Sequence, residues 1–293
     1  MDWRIPPQWD GAMVKSFLRL YCGVSARTLT RLKKAENGIL LNGRPAIATT
    51  RLQQGDFLEI HPPAGENHLP GLQVDVPVLW EDGDVIVFDK PPGMPVHPSP
   101  GHDCDSLANA AAAYAARRKE RWAFRCVGRL DSGTSGAVIV AKNAHAAYCI
   151  SKSIQKEYLA LCEGTLTGEG VIDAPIRLQA GSKIRREVGA GGQEAVTQWR
   201  ALEDLSCNST VFTVVLLTLQ TGRTHQIRVH MANAGHPLVG DDLYGGSTAL
   251  LPRQALHCRQ VGFFTPKGDK VTIHSPLPPD IAPLLAGGNR STN

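Results

Sequence analysis

Short runs of apolar residues, separated by turn residues, recur along most of this chain and predict buried strands. These strands are predicted over 39–41, 57–60, 85–88, 137–141, 158–162, 195–202 and 211–219. Near the N-terminus the pattern differs, because Val14, Phe17, Leu18 and Tyr21 recur at the spacing of one helix face. The longest apolar run, 211–219, is far shorter than the roughly 20 residues of a membrane-spanning helix. We therefore expect mixed helices and strands, with no membrane span.

Residues 13–61 are predicted to form a small unit of two helices followed by β-structure. Ser25 is the predicted N-cap of the second helix, and Asn42-Gly43 predicts a hairpin turn. The second helix carries three cations on one stripe, Arg27, Arg31 and Lys34. This segment holds eight Lys and Arg against three acids, whereas the whole chain has a net charge of +4. Such a concentration is typical of contact with phosphates, although a solvated basic face explains the charge alone equally well.

The rest of the chain is organised differently. Residues 62–76 contain Pro and Gly without periodicity and predict a linker. Residues 77–286 alternate strands with helices, and 287–293 form a polar tail. Helices are predicted over 106–121, 144–154 and 224–234. Thr224 is the predicted N-cap of the third. Seven cysteines without a CxxC pair, and an N-terminus without an apolar signal segment, predict a cytoplasmic protein with no membrane contact.

Asp131 is the first residue that suggests chemistry. It lies in the segment GRLDSGTSG, immediately before the predicted 137–141 strand. A tight loop at the end of a sheet strand is a usual place for catalytic groups. Asp-Ser-Gly is also ordinary turn chemistry, and on its own that interpretation is favoured.

Arg228 belongs to a second candidate segment, LQTGRTHQIRVH, which combines a strand end, a glycine turn and a helix start. In the first helical turn Arg228 has no carbonyl to bind and needs an anion from elsewhere, for which a surface acid would suffice. His225 and His230 fall on different helix faces, and no HExxH or cysteine cluster accompanies them. We therefore predict no metal site.

Together these segments resemble the RluA-like family of RNA pseudouridine synthases. VGRLDSGTSGAVIVAKN matches the aspartate motif of the family, QKEYLALCEG its tyrosine motif, and LQTGRTHQIRVHMANAGHPLVGDDLYG its arginine motif. The segment ALHCRQVGFFTP matches its last characteristic strand, and the resemblance spans about 78–279. It implies an α+β fold built on one mixed, mostly antiparallel central sheet that is cleft by the active site.

The resemblance also implies roles for individual residues. Asp131, Tyr158 and Arg228 are the expected catalytic residues, with Asp131 as the reacting carboxylate and Arg228 as its partner. Tyr158 is expected to pack on the uracil. The expected substrate-binding residues are Arg129, Leu256, Lys156, Arg223 and His225. Arg129 would fill the gap left by a base that flips out of its stack. Conversion of uridine to pseudouridine adds no electrons or groups, so no cofactor is expected.

A second resemblance concerns the N-terminal unit. VSARTLTRLKKAENGILLNGRP and TTRLQQGDFLEI resemble the S-four RNA-binding domain. This resemblance implies a small α/β domain that binds RNA, with Arg27, Arg31 and Lys34 as the contacting cations. We expect the partner to be RNA, and the protein to act as a monomer.

The target and one departure from the family pattern remain open at this level. Large-subunit ribosomal RNA is the favoured substrate, tRNA is the alternative with the same chemistry, and a non-catalytic RNA-binding assembly factor is the alternative of another class. The presence of Asp131, Tyr158 and Arg228 argues against the last. Gly128 stands where the family commonly has histidine. A histidine there is expected to be tolerated if the backbone accepts a side chain.

Overall fold

The N-terminal unit is a four-stranded antiparallel sheet covered by helices. The structure is a computed structural model that describes residues 2–24, 26–61, 74–99, 101–287 and 289–290. The strands are β1 (Asp2–Arg4), β2 (Ile39–Leu41), β3 (Arg44–Pro45) and β4 (Phe57–Ile60), in the order β1-β4-β2-β3. The helices are α1 (Val14–Ser16), which continues as a π-helix over Phe17–Tyr21, and α2 (Ala26–Lys34). Val14, Phe17 and Leu18 are fully buried in its core.

This unit begins earlier than the predicted boundary at residue 13. Strand β1 pairs with β4, and Ile5 is buried in the same apolar cluster as Phe17. The first helical face was predicted as regular helix, whereas its second half has π-helical hydrogen bonding. Ser25 lies outside the described residues, and so does most of the predicted linker, 62–73.

Residues from 74 onward form the second unit. The expected alternation of strands and helices holds only in part in this unit, because six strands follow one another between residues 155 and 219 without an α-helix. Its strands are β5 (Val78–Glu81), β6 (Val85–Lys90), β7 (Arg125–Val127), β8 (Ser135–Ala141), β9 (Gln155–Glu163), β10 (Glu169–Asp173), β11 (Ile176–Leu178), β12 (Arg186–Val188), β13 (Val196–Cys207), β14 (Thr210–Leu219), β15 (Leu256–Phe264), β16 (Lys270–His274) and β17 (Asn289–Arg290). Its helices are α3 (Leu107–Arg117), α4 (Ala144–Ser151), α5 (Gln226–Asn233) and α6 (Ala282–Gly287). Strands β11 and β12 form a separate hairpin.

One large sheet organises this unit. Its main path runs β10-β13-β14-β9-β15-β8-β6-β5, and β16, β17 and β7 pair at its sides. All of these pairs are antiparallel except β15 with β8, which is parallel. The predicted α+β fold with a mixed, mostly antiparallel central sheet is therefore confirmed. Every residue of β8 is buried, as its continuous apolar run predicts.

The parallel contact between β15 and β8 depends on a glycine. Gly136 has φ +112, and a Cβ built on it would lie 2.3 Å from the carbonyl oxygen of Cys258. Glycine therefore lets the two strands approach at the centre of the sheet. Because β8 follows the Asp131 loop and β15 begins at Leu256, this approach brings two candidate segments together.

Several element ends differ from the sequence-based expectations. Helix α3 ends at Arg117 and not near 121, because Lys119 has the left-handed φ of 57 that terminates a helix. Helix α4 ends at Ser151, three residues before the predicted end. Part of the predicted polar tail, Asn289–Arg290, pairs with β13. Within the ranges described, each helix falls short of the length and apolarity needed to cross a bilayer.

Candidate active site

Four neighbouring strands place the candidate residues around one cavity of about 220 Å³. The loop before β8, the first half of β9, the loop after β14 and the start of β15 supply its walls, and these strands are adjacent in the sheet. All eight predicted catalytic and substrate-binding residues line it: Asp131, Tyr158, Arg228, Arg129, Leu256, Lys156, Arg223 and His225. Residues far apart in sequence thus meet because their strands are neighbours.

The Asp131 carboxylate opens into this cavity between two nitrogen groups. Its Oδ2 lies 3.5 Å from Nη1 of Arg228 and 4.0 Å from Nε2 of His225. The Asp131 side chain is 21% exposed, whereas that of Arg228 is 8% exposed. The carboxylate is therefore reachable from the cavity while it faces a buried cation.

Backbone carbonyls of the Asp131 loop are held by the buried Lys90 and the partly buried Arg253. Lys90 Nζ donates to the carbonyl of Ser132 at 2.9 Å, and Arg253 Nη1 donates to that of Gly133 at 3.0 Å. Lys90 also donates to the carbonyls of Pro91 and Met94, at 2.9 and 2.7 Å. These bonds attach the loop that carries Asp131 to the turn at the end of β6.

Lys90 is a functional feature that the sequence analysis missed. Its side chain is fully buried, and burial lowers its pKa to about 7. The charge of Arg253 lowers the pKa further, whereas that of Asp131 raises it. The sequence offered one signal, a lysine that ends the apolar strand VIVFDK. A lysine there is normally solvated, so the sequence alone did not indicate that it is buried.

Arg228 has a stronger partner than the expected Asp131. Its Nε and Nη2 each donate to a carboxylate oxygen of Asp241 at 2.7 Å, and the Asp241 side chain is fully buried. Burial alone would lower the pKa of Arg228, but the hydrogen bonds and charge of Asp241 raise it. The longer contact to Asp131 is thus secondary, and Asp241 fixes where the guanidinium points. Asp241 lies in the quoted arginine motif, but no sequence signal separated it from Asp242.

The start of α5 corrects the predicted helix cap. The N-cap is His225, in the left-handed region at φ 58, and no described side chain caps the helix there. Thr224 instead accepts a hydrogen bond from the Arg129 guanidinium across the cavity, so the prediction that it caps α5 is wrong. A left-handed non-glycine residue is strained, and such strain is concentrated at functional sites.

Hydrogen bonds around Tyr244 assign the proton of the His225 ring. The Tyr244 hydroxyl accepts from the backbone N–H of Arg186 at 2.9 Å and lies 2.8 Å from His225 Nδ1. A hydroxyl that already accepts one hydrogen bond still has its own proton to donate, and we infer that Nδ1 accepts this proton and that the ring proton is on Nε2. Burial lowers the pKa of His225, and Arg228 and Arg186 lower it further against the opposite effect of Asp131. A neutral imidazole therefore presents an N–H toward Asp131.

His230, the other histidine of this motif, lies away from the cavity. Its Nδ1 is 2.8 Å from the hydroxyl of Thr197, and its Nε2 is 2.9 Å from the carbonyl oxygen of Ala174. Both ring nitrogens are therefore engaged with the protein beneath α5. The two histidines are separated as their spacing in sequence predicts.

Tyr158 and Leu256 form an apolar part of the cavity wall. Both are buried, on β9 and at the start of β15. Burial raises the pKa of Tyr158 well above its ordinary value, and the neighbouring Cys258 and Asp131 raise it further. The phenol therefore keeps its proton at neutral pH. The Tyr158 ring and the Leu256 side chain lie in the same cavity as the charged groups of Asp131 and Arg228. This combination suits a ligand with a flat ring joined to a polar group.

Gly128 has a conformation that glycine favours. Its φ is +74, and a Cβ there would lie 2.9 Å from Cε of Lys156. Lys156 also donates a hydrogen bond to the Gly128 carbonyl. The expectation that histidine would be tolerated at 128 therefore fails for this backbone, since it would be strained and would displace Lys156.

The predicted RNA-binding cations lie on α2 in the N-terminal unit. Arg31 and Lys34 are exposed, whereas the side chain of Arg27 lies outside the described residues. Arg125 of β7 has a pKa lowered by burial and then by the charge of Arg31. The two units touch where His145 Nδ1 lies 2.8 Å from the carbonyl oxygen of Cys22. The cationic face of α2 thus approaches the catalytic unit.

The mixed, mostly antiparallel sheet is the fold expected from the pseudouridine synthase resemblance, and the predicted site residues line one cavity in it. A family model described as RNA pseudouridylate synthase matches residues 84–233. The chain belongs to this family, and the RluA-like resemblance of the motifs is confirmed. The protein is therefore an RNA pseudouridine synthase.

Relatives of this chain match nearly its full length. The uncharacterised RNA pseudouridine synthase YjbO of Bacillus subtilis is 37% identical, over 91% of this chain and 96% of the relative. Ribosomal large subunit pseudouridine synthase D of Nitrosomonas europaea is 33% identical, over 95% of this chain and 80% of the relative. The solved structure of human RNA Pseudouridylate Synthase Domain Containing 1 has a TM-score of 0.62 at 28% identity, covering 76% of this chain and 91% of that one.

Proposed function

We propose that this synthase isomerises uridine in large-subunit ribosomal RNA, with Asp131 as the reacting carboxylate and without a cofactor. The observation that carries the proposal is the Asp131 carboxylate in the cavity, with Arg228 Nη1 at 3.5 Å and His225 Nε2 at 4.0 Å. The ribosomal target is supported by the relatives named large subunit pseudouridine synthase D. We expect the protein to be cytoplasmic and monomeric.

The proposed chemistry asks little of the protein beyond this arrangement. The bond from uracil N1 to ribose C1′ breaks, a bond from C5 to C1′ forms, one proton leaves C5, and one is gained at N1. No atoms or electrons are added overall. The reaction needs an anion near the sugar, which Asp131 supplies as nucleophile or base. Tyr158 and Leu256 hold the turning ring, and Arg228 faces the carboxylate.

The uridine must leave its stack before Asp131 can reach it, at a cost of a few kcal/mol. Arg129 crosses the cavity to Thr224 in this structure. We propose that Arg129 exchanges this contact for RNA and occupies the space left by the flipped base. The exchange keeps the guanidinium hydrogen-bonded in both states, so that neither leaves an unsatisfied donor.

Replacement of Asp131 tests the catalytic assignment. Asp131→Asn keeps the shape of the side chain but removes the anion, and we expect turnover to fall by more than about a thousandfold. Affinity for RNA should change little. The measurements are single-turnover pseudouridine formation and Kd on the same ribosomal RNA transcript. Asp242→Asn, an exposed neighbour of the site, is the matched control. Turnover of Asp131→Asn within tenfold of wild type would assign the chemistry to another group.

The target is tested by mapping pseudouridine in total RNA from cells that lack the gene. Loss of one or more modified positions in large-subunit ribosomal RNA is expected. Loss confined to tRNA would make the tRNA-directed alternative correct. An unchanged map, together with wild-type RNA binding, would favour the non-catalytic assembly factor.

We also propose that the N-terminal unit binds RNA as an S-four-like domain through α2. The double variant Arg31→Gln/Lys34→Gln should weaken binding to structured ribosomal RNA. It should also lower the slope of log affinity against log salt by about 0.7 to 0.9 for each phosphate that the variant no longer neutralises. Turnover on a short stem-loop should change less, since the cavity is intact. An unchanged salt slope would show that α2 does not contact the RNA backbone.

A further inference from the structure

A second cavity adjoins the catalytic one. It has a volume of about 410 Å³, lies between the β11–β12 hairpin and the loop before α5, and shares Arg223 and Thr224 with the catalytic cavity. Three arginines line it, Arg177, Arg186 and Arg223, and none of the described residues in its lining is acidic. The two cavities thus adjoin at Arg223 and Thr224, and the second one is strongly cationic.

Two of these arginines are anchored at the cavity wall and still have unused donors. Arg177 Nε lies 2.9 Å from a carboxylate oxygen of Glu187, and its Nη1 donates to the carbonyl of Ala190 at 3.3 Å. Arg223 Nε donates to the backbone carbonyl of Glu194 at 2.8 Å. Each guanidinium has five N–H groups. The anchors therefore orient both side chains without satisfying them.

Arg186 is the unusual member. Its Nε is buried and has no hydrogen-bond partner among the described residues. The backbone of Arg186 is fixed by the Tyr244 hydroxyl, and its charge lowers the pKa of His225 after the larger effect of burial. A buried donor without a partner is destabilising and rare. Its retention beside the catalytic cavity indicates a ligand that supplies the missing acceptor.

We propose that the second cavity binds one phosphodiester of the RNA, adjacent to the uridine in the catalytic cavity. This inference rests on the proposed function for the identity of the RNA. Arginine forks match the paired oxygens of a phosphate, and the carboxylate of Glu187 is already engaged by Arg177. Because a nucleotide is covalently joined to its flanking phosphates, a base in one cavity requires a phosphate nearby. Arg223, at the junction, contacts both groups.

A protein–substrate cycle tests this proposal. The probe is a short single-stranded RNA with one central uridine, together with versions in which one phosphodiester at a time is a neutral methylphosphonate. In the wild-type protein, one linkage next to the uridine should weaken binding by about tenfold. Arg186→Gln should weaken binding of the unmodified RNA by about the same factor. In Arg186→Gln, the neutral linkage should weaken RNA binding by less than about twofold, because the variant and the neutral linkage remove the same contact.

Arg200→Gln is the matched control, because Arg200 is exposed on β13 and lines neither cavity. It should leave the tenfold cost of the neutral linkage intact. Arg177→Gln, at an exposed position, repeats the cycle at a second arginine of the same cavity. Equal costs at all linkages, or costs that multiply in both Arg186→Gln and Arg177→Gln, would overturn the proposal.

Product formation is measured separately, by wild-type protein on ribosomal RNA transcripts. A neutral linkage whose cost disappears in Arg186→Gln, together with no pseudouridine formation, would support the phosphate site and overturn the proposed function. Pseudouridine formation, together with a neutral linkage that costs the same in Arg186→Gln as in the wild type, would support the function and overturn the phosphate site.

Discussion

The two sides of the catalytic cavity hold opposite charges in place by different means. On one side, Lys90 and Arg253 bind the backbone carbonyls that follow Asp131. On the other side, Arg228 is fixed through its own side chain by two hydrogen bonds of 2.7 Å to Asp241. The Asp131 carboxylate is therefore positioned through its loop, whereas the guanidinium of Arg228 is positioned directly.

This difference suits the different tasks of the two groups. Asp131 is the proposed reacting group, and its oxygens are accessible while its nearest cation is 3.5 Å away. Arg228 must remain in place, so its charge is balanced by a buried carboxylate. Asp131 is thus held through the backbone of its loop, which leaves its carboxylate free, whereas Arg228 is held through its guanidinium. Three substitutions test this comparison.

The largest effect is expected from Asp241→Asn. It leaves the buried Arg228 without its anion, and removal of one partner of a buried ion pair costs about 3–5 kcal/mol of folding stability. Arg228 should then move toward Asp131, so that turnover falls more than RNA affinity. Urea unfolding and single-turnover rates measure these changes, with Asp242→Asn as the control. Unchanged stability would show that Arg228 does not depend on Asp241.

Lys90→Met should have the next largest effect. It removes the donor to the carbonyls of Pro91, Met94 and Ser132, of which a neutral amine can serve two, and should destabilise the fold by about 1–3 kcal/mol above pH 7. The pKa of Lys90 is about 7 in the fold, against 10.5 ordinarily. The unfolded chain therefore binds more protons between these pH values, and the contribution of Lys90 to stability increases as pH rises through this range.

The loss caused by Lys90→Met should consequently be larger at pH 9 than at pH 6. Urea unfolding of both proteins at the two pH values measures it. A loss that is the same at both would mean that Lys90 is charged in the fold throughout.

The smallest effect is expected from Tyr244→Phe. It removes the hydroxyl that donates to His225 Nδ1, which should lower turnover by about three- to tenfold with little change in RNA affinity. Without that donor, Nδ1 accepts a proton more readily, so the acid limb of the pH–rate profile should move to higher pH. Tyr148→Phe, on α4, is the control. An unmoved acid limb would contradict the assigned tautomer.

Much of the active site was predictable because its residues lie in recognisable local patterns. The buried runs predicted β8 and β14, and the three motifs that resemble the family implied the roles of Asp131, Tyr158 and Arg228. What could not be predicted was how these residues are held. Lys90 reaches the Asp131 loop through the carbonyl of Ser132, 42 residues away, and Asp241 has no local pattern that distinguishes it from Asp242.

Hydrophobic periodicity is a local property and by itself predicted most strands, whereas the resemblance of the motifs to a known family implied the α+β class and the catalytic candidates. The tertiary structure alone decided that Asp241 and not Asp242 binds Arg228, that His225 is left-handed, and that three arginines meet beside the catalytic cavity. Each of these depends on how α5, the loop that follows it and the separate β11–β12 hairpin pack together. Contact across β14, β9, β15 and β8 is a property of the packed fold, and no short segment of the chain contains it.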